Sequence, residues 1–389
     1  MDDLKRKALE LHSKNKGKVS ILPKVKVETK DDLSLAYTPG VAEPCREIAA
    51  DKGKVYDYTF KSNTVAVVSD GSAVLGLGNI GAEAALPVME GKCVLFKRFS
   101  GIDAWPICIK SQEPRDIIEV VKNIAPVFGG INLEDIAAPK CFEIEEVLKK
   151  ELDIPVMHDD QHGTAIVVLA AVFNALKVVG IRLEEAKFAI SGVGAAGVAT
   201  ARLLLKAGAK DIIMTDTRGA IYEGRKEHMN QVKEGIAHIT NKEKVKGSLK
   251  EVLEGRNVFI GLSSGNLLDA NDIKKMENAV IIAMANPVPE IMPDESRKGG
   301  AKIIATGRSD FPNQVNNSLA FPGVFRGALD CRAREINDEM KLEAAYALAS
   351  IVKKPAADMI IPGPFDKDIL PKISEAVVRA ARKTGVARL

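Results

Sequence analysis

Four acids fall in two pairs, each where an apolar, strand-like run stops: Glu134-Asp135 after Gly130-Ile131-Asn132-Leu133, and Asp159-Asp160 after Ile154-Pro155-Val156-Met157-His158. If those ends converge, the pairs offer hard carboxylate oxygens with positions left over for water and substrate. That chemistry suits Mg²⁺ or Mn²⁺ better than a soft metal. Taken singly, neither pair favours a metal: Glu134 and Asp135 read more readily as solvated loop acids or as the opening of a helix, where Asp and Glu are favoured. His158 and His162 have the spacing of a helical zinc site. The preceding run is strand-like, however, and Gly163 stands before a helix expected from about Thr164, so neither histidine is assigned a role.

A second constellation binds rather than reacts. Residues 187–216 read as a strand, a glycine turn, a helix and a second strand that ends in an acid. Gly192, Gly194 and Gly197 have the G-x-G-x-x-G spacing, with Ala195 and Ala196 between the last two. Such a turn lets backbone N–H groups at a helix N-terminus approach a pyrophosphate. Asp216 follows about 20 residues on, where an acid accepts the adenosine ribose hydroxyls and repels a 2′-phosphate. NAD⁺ is therefore the expected cofactor, with NADP⁺ as the alternative through Arg218 or Arg225. A bare glycine fingerprint is weak, because glycine turns also serve ordinary strand-to-helix connections.

The elements that must hold these residues follow an α/β alternation. A helix is expected at about Asp2 to Lys14, then an extended basic stretch, then a turn forced by Pro39 and Gly40 that leaves Tyr37 at a loop edge. Short β-rich runs are expected at 64–72, 93–99 and 105–110, and helices at 114–125 and 141–151. Further strands are expected at 258–260, 280–284 and 303–305, a helical stretch at 320–353, and loops at 292–300 and 361–365. Ligands in open α/β sheets sit at strand C-termini, where both acid pairs fall.

At 389 residues, with 46% hydrophobic content, two domains are the expectation. The 55 Lys and Arg nearly balance the 52 Asp and Glu, for a net charge of +3, and the signs are interspersed. Nothing in that balance calls for nucleic acid or an acidic membrane. The five cysteines are scattered without a C-x-x-C pair, which argues against a disulfide framework or a thiolate zinc site. The charged N-terminus has no apolar signal core, and no run is expected to be long enough to cross a bilayer. A cytoplasmic protein is expected.

Several stretches in order resemble one family. They are Tyr37-Thr38-Pro39-Gly40-Val41-Ala42, Ser69-Asp70-Gly71 through Leu75-Gly76-Leu77-Gly78-Asn79, Pro87 through Gly91-Lys92, Leu133-Glu134-Asp135, Asp159-Asp160-Gln161-His162-Gly163-Thr164, Asn286-Pro287 and Asn316-Asn317. Over nearly the whole chain they resemble the compact prokaryotic malic enzymes, the decarboxylating NAD(P)-dependent malate dehydrogenases. The resemblance implies a malic-type α/β domain over 1–157 and a Rossmann-like, doubly wound NAD(P)-binding domain over 158–389, with about 318–389 packing back on the first. It implies oxidation of (S)-malate to pyruvate and CO₂, Tyr37 as general acid, Lys92 as general base and Asp159 beside that lysine. Glu134, Asp135 and Asp160 would hold the divalent ion, Asn286 and Asn317 would bind malate, and Asn286 would also face the cofactor. A homodimer or higher homo-oligomer is implied as well. In this chain Ser72 and Ala73 stand where larger relatives carry a substrate-binding arginine, leaving Arg98 and Arg308 as candidates. A malolactic enzyme that releases lactate and a catalytically silent nucleotide sensor are the alternatives.

Overall fold

The computed structural model describes residues 2–74 and 76–389; Leu75, within one of the stretches above, lies outside the described residues. Two sheets organise two α/β domains. The first contains β1 (Thr64–Ser69), β2 (Asp103–Cys108), β3 (Gly130–Leu133) and β4 (Val156–His158), all parallel in the order β2-β1-β3-β4. The second contains β5 (Lys187–Ser191), β6 (Asp211–Asp216), β7 (Gly219–Ala220), β8 (Val258–Gly261), β9 (Val280–Ala283) and β10 (Ile303–Thr306), ordered β10-β9-β8-β5-β6-β7. Its one antiparallel pairing is β6 with β7. Parallel strands are covered by helices on both faces, so their residues are apolar without alternation. Val65 to Val68 in β1 are accordingly wholly buried. Strand order reverses at β5, which opens the crevice where such sheets take a ligand.

Three elements differ from the expectation. Residues 93–99 belong not to a strand but to the 20-residue helix Gly81–Ser100, which runs through Pro87 and ends at Gly101 in the left-handed conformation. Its buried stripe, Ala85, Met89, Lys92, Cys93, Phe96 and Ser100, has helical spacing that a window of seven residues is too short to reveal. Residues Pro293–Lys298 form a short helix with Pro at its first turn rather than a loop. The helix Asp159–Val179 begins five residues before Thr164 and is long and apolar enough to cross a membrane, contrary to the sequence expectation. Most of its apolar window, 67%, is buried inside the protein, which accounts for that composition.

This helix links the two sheets. The C-terminal helices Phe321–Asp330, Asp338–Ile351 and Ile369–Lys383 follow the second sheet, and Phe321 and Phe325 pack edge-on to Phe96 of the first domain, with centroids 4.7 and 5.4 Å away. A continuous apolar cluster therefore includes Val65 and Phe96 from one domain and Phe188 and Ile260 from the other. By contrast, the helices Lys30–Ala36, Ala42–Ala50 and Val55–Tyr58 of the N-terminal arm contain no buried residue.

Candidate active site

The acid pairs converge because β3 and β4 are neighbours. After Leu133 the Glu134 N–H still donates to the Val68 carbonyl at 2.8 Å, so its side chain is delivered at the strand's C-terminal edge. Asp135 then turns the chain with a φ of 54°, unusual for a residue with a Cβ, and its N–H donates to Asp160 Oδ2 at 2.8 Å. Asp159 and Asp160 open the helix that follows β4, where the free N–H groups of a helix N-terminus favour carboxylates. One oxygen from each of Glu134, Asp135 and Asp160 lies within 4.8 Å of the others.

Lys92 enters from the helix Gly81–Ser100. Its ammonium is 2.6 Å from Asp159 Oδ2, 2.8 Å from Glu134 Oε1 and 4.4 Å from the Phe321 ring centroid. Asn132 donates to the other Glu134 oxygen at 2.9 Å. The Lys92 ammonium thus pairs with two carboxylates of a group of four, and among the described residues Asp159 Oδ1 is buried with no hydrogen-bond partner. Buried carboxylates in that state call for further positive charge. Three convergent hard oxygens fit a divalent ion, with Glu134, Asp135 and Asp160 as the residues able to hold it. The Asp160 side chain is 33% exposed, so the cluster has an open side.

Burial pushes the Glu134 carboxyl well up, against the pull of Lys92 and with Asp160, Asp159 and Asp135 reinforcing it. Burial alone would lower the Lys92 ammonium, but Asp159 and then Glu134 outweigh it and hold it above its ordinary value. A general base needs the opposite direction, so Lys92 can act as one only where further positive charge offsets these carboxylates.

The other candidates are distributed around this cluster. A Cβ on Gly163 would sit 1.8 Å from Asp159 Oδ1 and 3.2 Å from the Asn317 Cβ, so Gly163 has both residues as neighbours. Asn286 lies in the second domain, and a Cβ on Gly76 would be 3.4 Å from its carbonyl oxygen, so a first-domain loop meets the Asn286-Pro287 turn. Arg308 donates to the Pro287 carbonyl at 2.7 Å but spends its Nε and Nη2 on Asp310. Arg98 is exposed. Ser72, in the arginine's place, pins the loop instead: its hydroxyl donates to Asp70 Oδ1 at 2.6 Å and accepts from the Ala137 N–H at 2.9 Å. Tyr37 is not brought to the cluster within one chain. It ends the helix Lys30–Ala36 and is 67% exposed.

Sequence reasoning passed over three residues. Lys140 pairs with the buried Asp70 and also donates to the Gln112 carbonyl at 3.0 Å. Glu145 holds the start of the acid-bearing helix, accepting from the His158 N–H at 3.0 Å, from Gln161 at 3.2 Å and from His162 Nε2 at 3.0 Å. His162 therefore has a role, and the helix begins early because this network anchors its first turn. A glutamate within the stripe Cys141, Ile144, Leu148 was the available signal. Lys341, nearly inaccessible and 3.0 Å from Asp338, was missed for the same reason: a charge inside a helical core stripe.

The dinucleotide turn follows β5 as expected. A Cβ on Gly192 would lie 2.4 Å from the Leu262 carbonyl oxygen, and one on Gly197 would lie 2.0 Å from that of Gly192, so only glycine permits the close strand-turn-helix packing. Gly194 caps the helix Ala195–Ala207, whose first residues are Ala195 and Ala196. The Gly192 N–H donates to Thr215 at 2.9 Å, which sets Asp216 beside the turn. Its surroundings differ from the expectation. Asp216 Oδ1 accepts from the Arg218 N–H at 2.8 Å and from Arg225 Nη2 at 2.9 Å, while Oδ2 accepts from Arg225 Nη2 at 3.0 Å and from Lys233 at 2.6 Å.

Comparison with known proteins agrees with this geometry. Residues 15–149 match the malic enzyme N-terminal domain and residues 161–383 the malic enzyme NAD binding domain. The chain is 57% identical to a bifunctional malic/malolactic enzyme of Bacillus subtilis (strain 168), over 99% of this chain and 95% of that one. It is 55% identical to an NAD-dependent malic enzyme of Geobacillus stearothermophilus, over 96% of this chain and 78% of that one. The crystal structure of malic enzyme from Pyrococcus horikoshii Ot3 superposes with a TM-score of 0.95 at 52% identity, covering 99% of this chain and 92% of that one. With two domain matches spanning most of its length and relatives more than half identical along it, the chain belongs to the malic enzyme family and is an NAD(P)-dependent malic enzyme.

Proposed function

We propose that the protein oxidises (S)-malate with NAD(P)⁺ and releases pyruvate and CO₂ in a divalent-metal-dependent reaction. The observation that carries this reading is Lys92, held at 2.6 and 2.8 Å by Asp159 and Glu134 beside three convergent carboxylates. When bound by Glu134, Asp135 and Asp160, a divalent ion supplies Lewis acidity toward the malate C2 oxygen and offsets the carboxylate charge that keeps Lys92 protonated. Lys92 takes the C2 hydroxyl proton, and Asp159 orients its ammonium for the return. Asn286 and Asn317 hold the substrate, Asn286 also facing the cofactor from the second domain. The glycine turn of residues 192–197 receives the pyrophosphate at the helix N-terminus. Tyr37 delivers the final proton to C3, a role that requires its exposed arm to reach the site, in its own chain or in the homodimer implied by the resemblance.

A malate oxidation assay with NAD⁺ and NADP⁺ in parallel, with EDTA and with added Mn²⁺, tests substrate, cofactor and metal together. Unchanged turnover in EDTA would sink the metal assignment. The bifunctional malic/malolactic character of the Bacillus relative favours a second activity, conversion of malate to lactate with the cofactor retained. Net NAD(P)H formation at 340 nm separates the two.

A further inference from the structure

The helix that carries Asp159 and Asp160 opens without a cap of its own. The first N–H groups of a helix lack intrahelical partners, and an Asp at or near the start ordinarily turns back to accept from them. Among the described residues, His158 at the N-cap makes no side-chain bond to that first turn. Neither do the two aspartates: Asp159 spends Oδ2 on Lys92 at 2.6 Å, and Asp160 spends Oδ2 on the Asp135 N–H at 2.8 Å. Both are committed to the cluster instead.

The cap comes from outside. Glu145, on the helix Lys140–Glu151, is buried, and its Oε1 accepts from the His158 N–H at 3.0 Å while its Oε2 accepts from Gln161 at 3.2 Å and from His162 Nε2 at 3.0 Å. In a capping box the acid that reaches the N-cap N–H is the helix's own third residue. Here that third residue is Gln161, an amide that donates to Glu145, and Glu145 takes the N-cap N–H in its stead. The two positions between N-cap and Gln161 are Asp159 and Asp160. Gly163 completes the arrangement: a Cβ there would sit 1.8 Å from Asp159 Oδ1, so the glycine leaves that carboxylate room along its own helix.

Resting on the metal reading of Glu134, Asp135 and Asp160, we infer that Glu145 is a positioning residue for the metal site. It clamps the N-cap and the third and fourth helical residues from a neighbouring helix, and so releases Asp159 and Asp160 from capping to serve Lys92 and the divalent ion. Glu145 itself is no ligand. It acts through the placement of two carboxylates, so its first effect is on metal affinity.

The test is Mn²⁺ titration of the metal-free protein followed by electron paramagnetic resonance, with NADH binding measured on the same samples. Outer partners of a metal site are worth roughly 10- to 100-fold in affinity, so Glu145→Gln should weaken Mn²⁺ within that range while NADH changes less than about threefold. Gln161→Met removes one clamp and leaves Glu145 its other two donors; it should weaken Mn²⁺ about tenfold, the low end of the range, and it carries the test if Glu145→Gln fails to fold. A role confined to stability would lower the thermal midpoint of both variants and leave Mn²⁺ affinity as it was. Mn²⁺ affinity within about threefold of the parent in Gln161→Met, or a loss that NADH binding shares equally, overturns the inference and leaves the metal site standing. If the parent protein binds no Mn²⁺, the metal reading fails and the inference with it.

Discussion

The two acidic sites of this protein carry opposite charge debts. At the ends of β3 and β4, Glu134, Asp135, Asp159 and Asp160 stand together, the Lys92 ammonium pairs with Glu134 and Asp159, and among the described residues a buried Asp159 oxygen has no hydrogen-bond partner. At the end of β6, the lone Asp216 is bracketed by Arg225 and Lys233 and receives a backbone N–H as well. Both sites stand at C-terminal ends of parallel strands, yet the first carries a surplus of carboxylates and the second a surplus of cations. A strand-end acid by itself therefore says little about its ligand. The count of charges around it, set by elements far away in the chain, decides.

The largest effect bears on the first site. Lys92→Ala should lower both malate oxidation and keto-acid reduction by roughly 10² to 10⁴, the usual worth of a positioned acid or base. Tyr37→Phe should spare keto-acid reduction and stall pyruvate formation. Equal damage to both half-reactions in Tyr37→Phe, with normal metal binding, would mean that the two residues act as one relay.

Next in size is metal affinity. Asp160→Asn should weaken Mn²⁺ binding at least roughly 100-fold, the upper end of what outer partners of a metal cost, while NADH affinity holds. Mn²⁺ titration followed by electron paramagnetic resonance reads this directly, and loss of both ligands together would tie the two sites into one.

The comparison is sharpest in the stability of the metal-free protein, where the two sites should respond with opposite signs. Asp160→Asn relieves like-charge crowding and should raise the thermal midpoint, whereas Asp216→Asn takes the counter-charge from buried Arg225 and should lower it. Shifts of about 2–4 °C are expected for changes near 1 kcal/mol. The same sign in both variants would erase the distinction.

The smallest effect concerns His162, whose pairing with Glu145 supplies a balanced reference between the two extremes. Burial lowers the His162 ring from 6.5 to about 4, against the pull of Glu145 and with Lys341 reinforcing it. Between those pH values the unfolded chain binds a proton that the folded chain refuses, so stability falls as pH drops through that window. His162→Gln should flatten this slope in thermal midpoints taken from pH 7 to 4. An unchanged slope would assign the loss to the carboxylate cluster instead.

The sequence by itself determined the α/β alternation, the glycine turn after β5, the two acid pairs and their place at strand ends, because these depend on local spacing and on backbone rules that act within a few residues. The helical nature of 93–99 escaped it, since a seven-residue apolar run satisfies either period until it is extended over the stripe from Ala85 to Ser100. The start of the helix at Asp159 escaped it too, because Glu145, which anchors that turn, comes from a different helix. Only the tertiary structure brought Lys92 between Asp159 and Glu134, left Tyr37 on an exposed arm, and closed Arg225 and Lys233 on Asp216. The physical reason is common to all three: electrostatics depends on distance and burial in space, and neither is a function of separation along the chain.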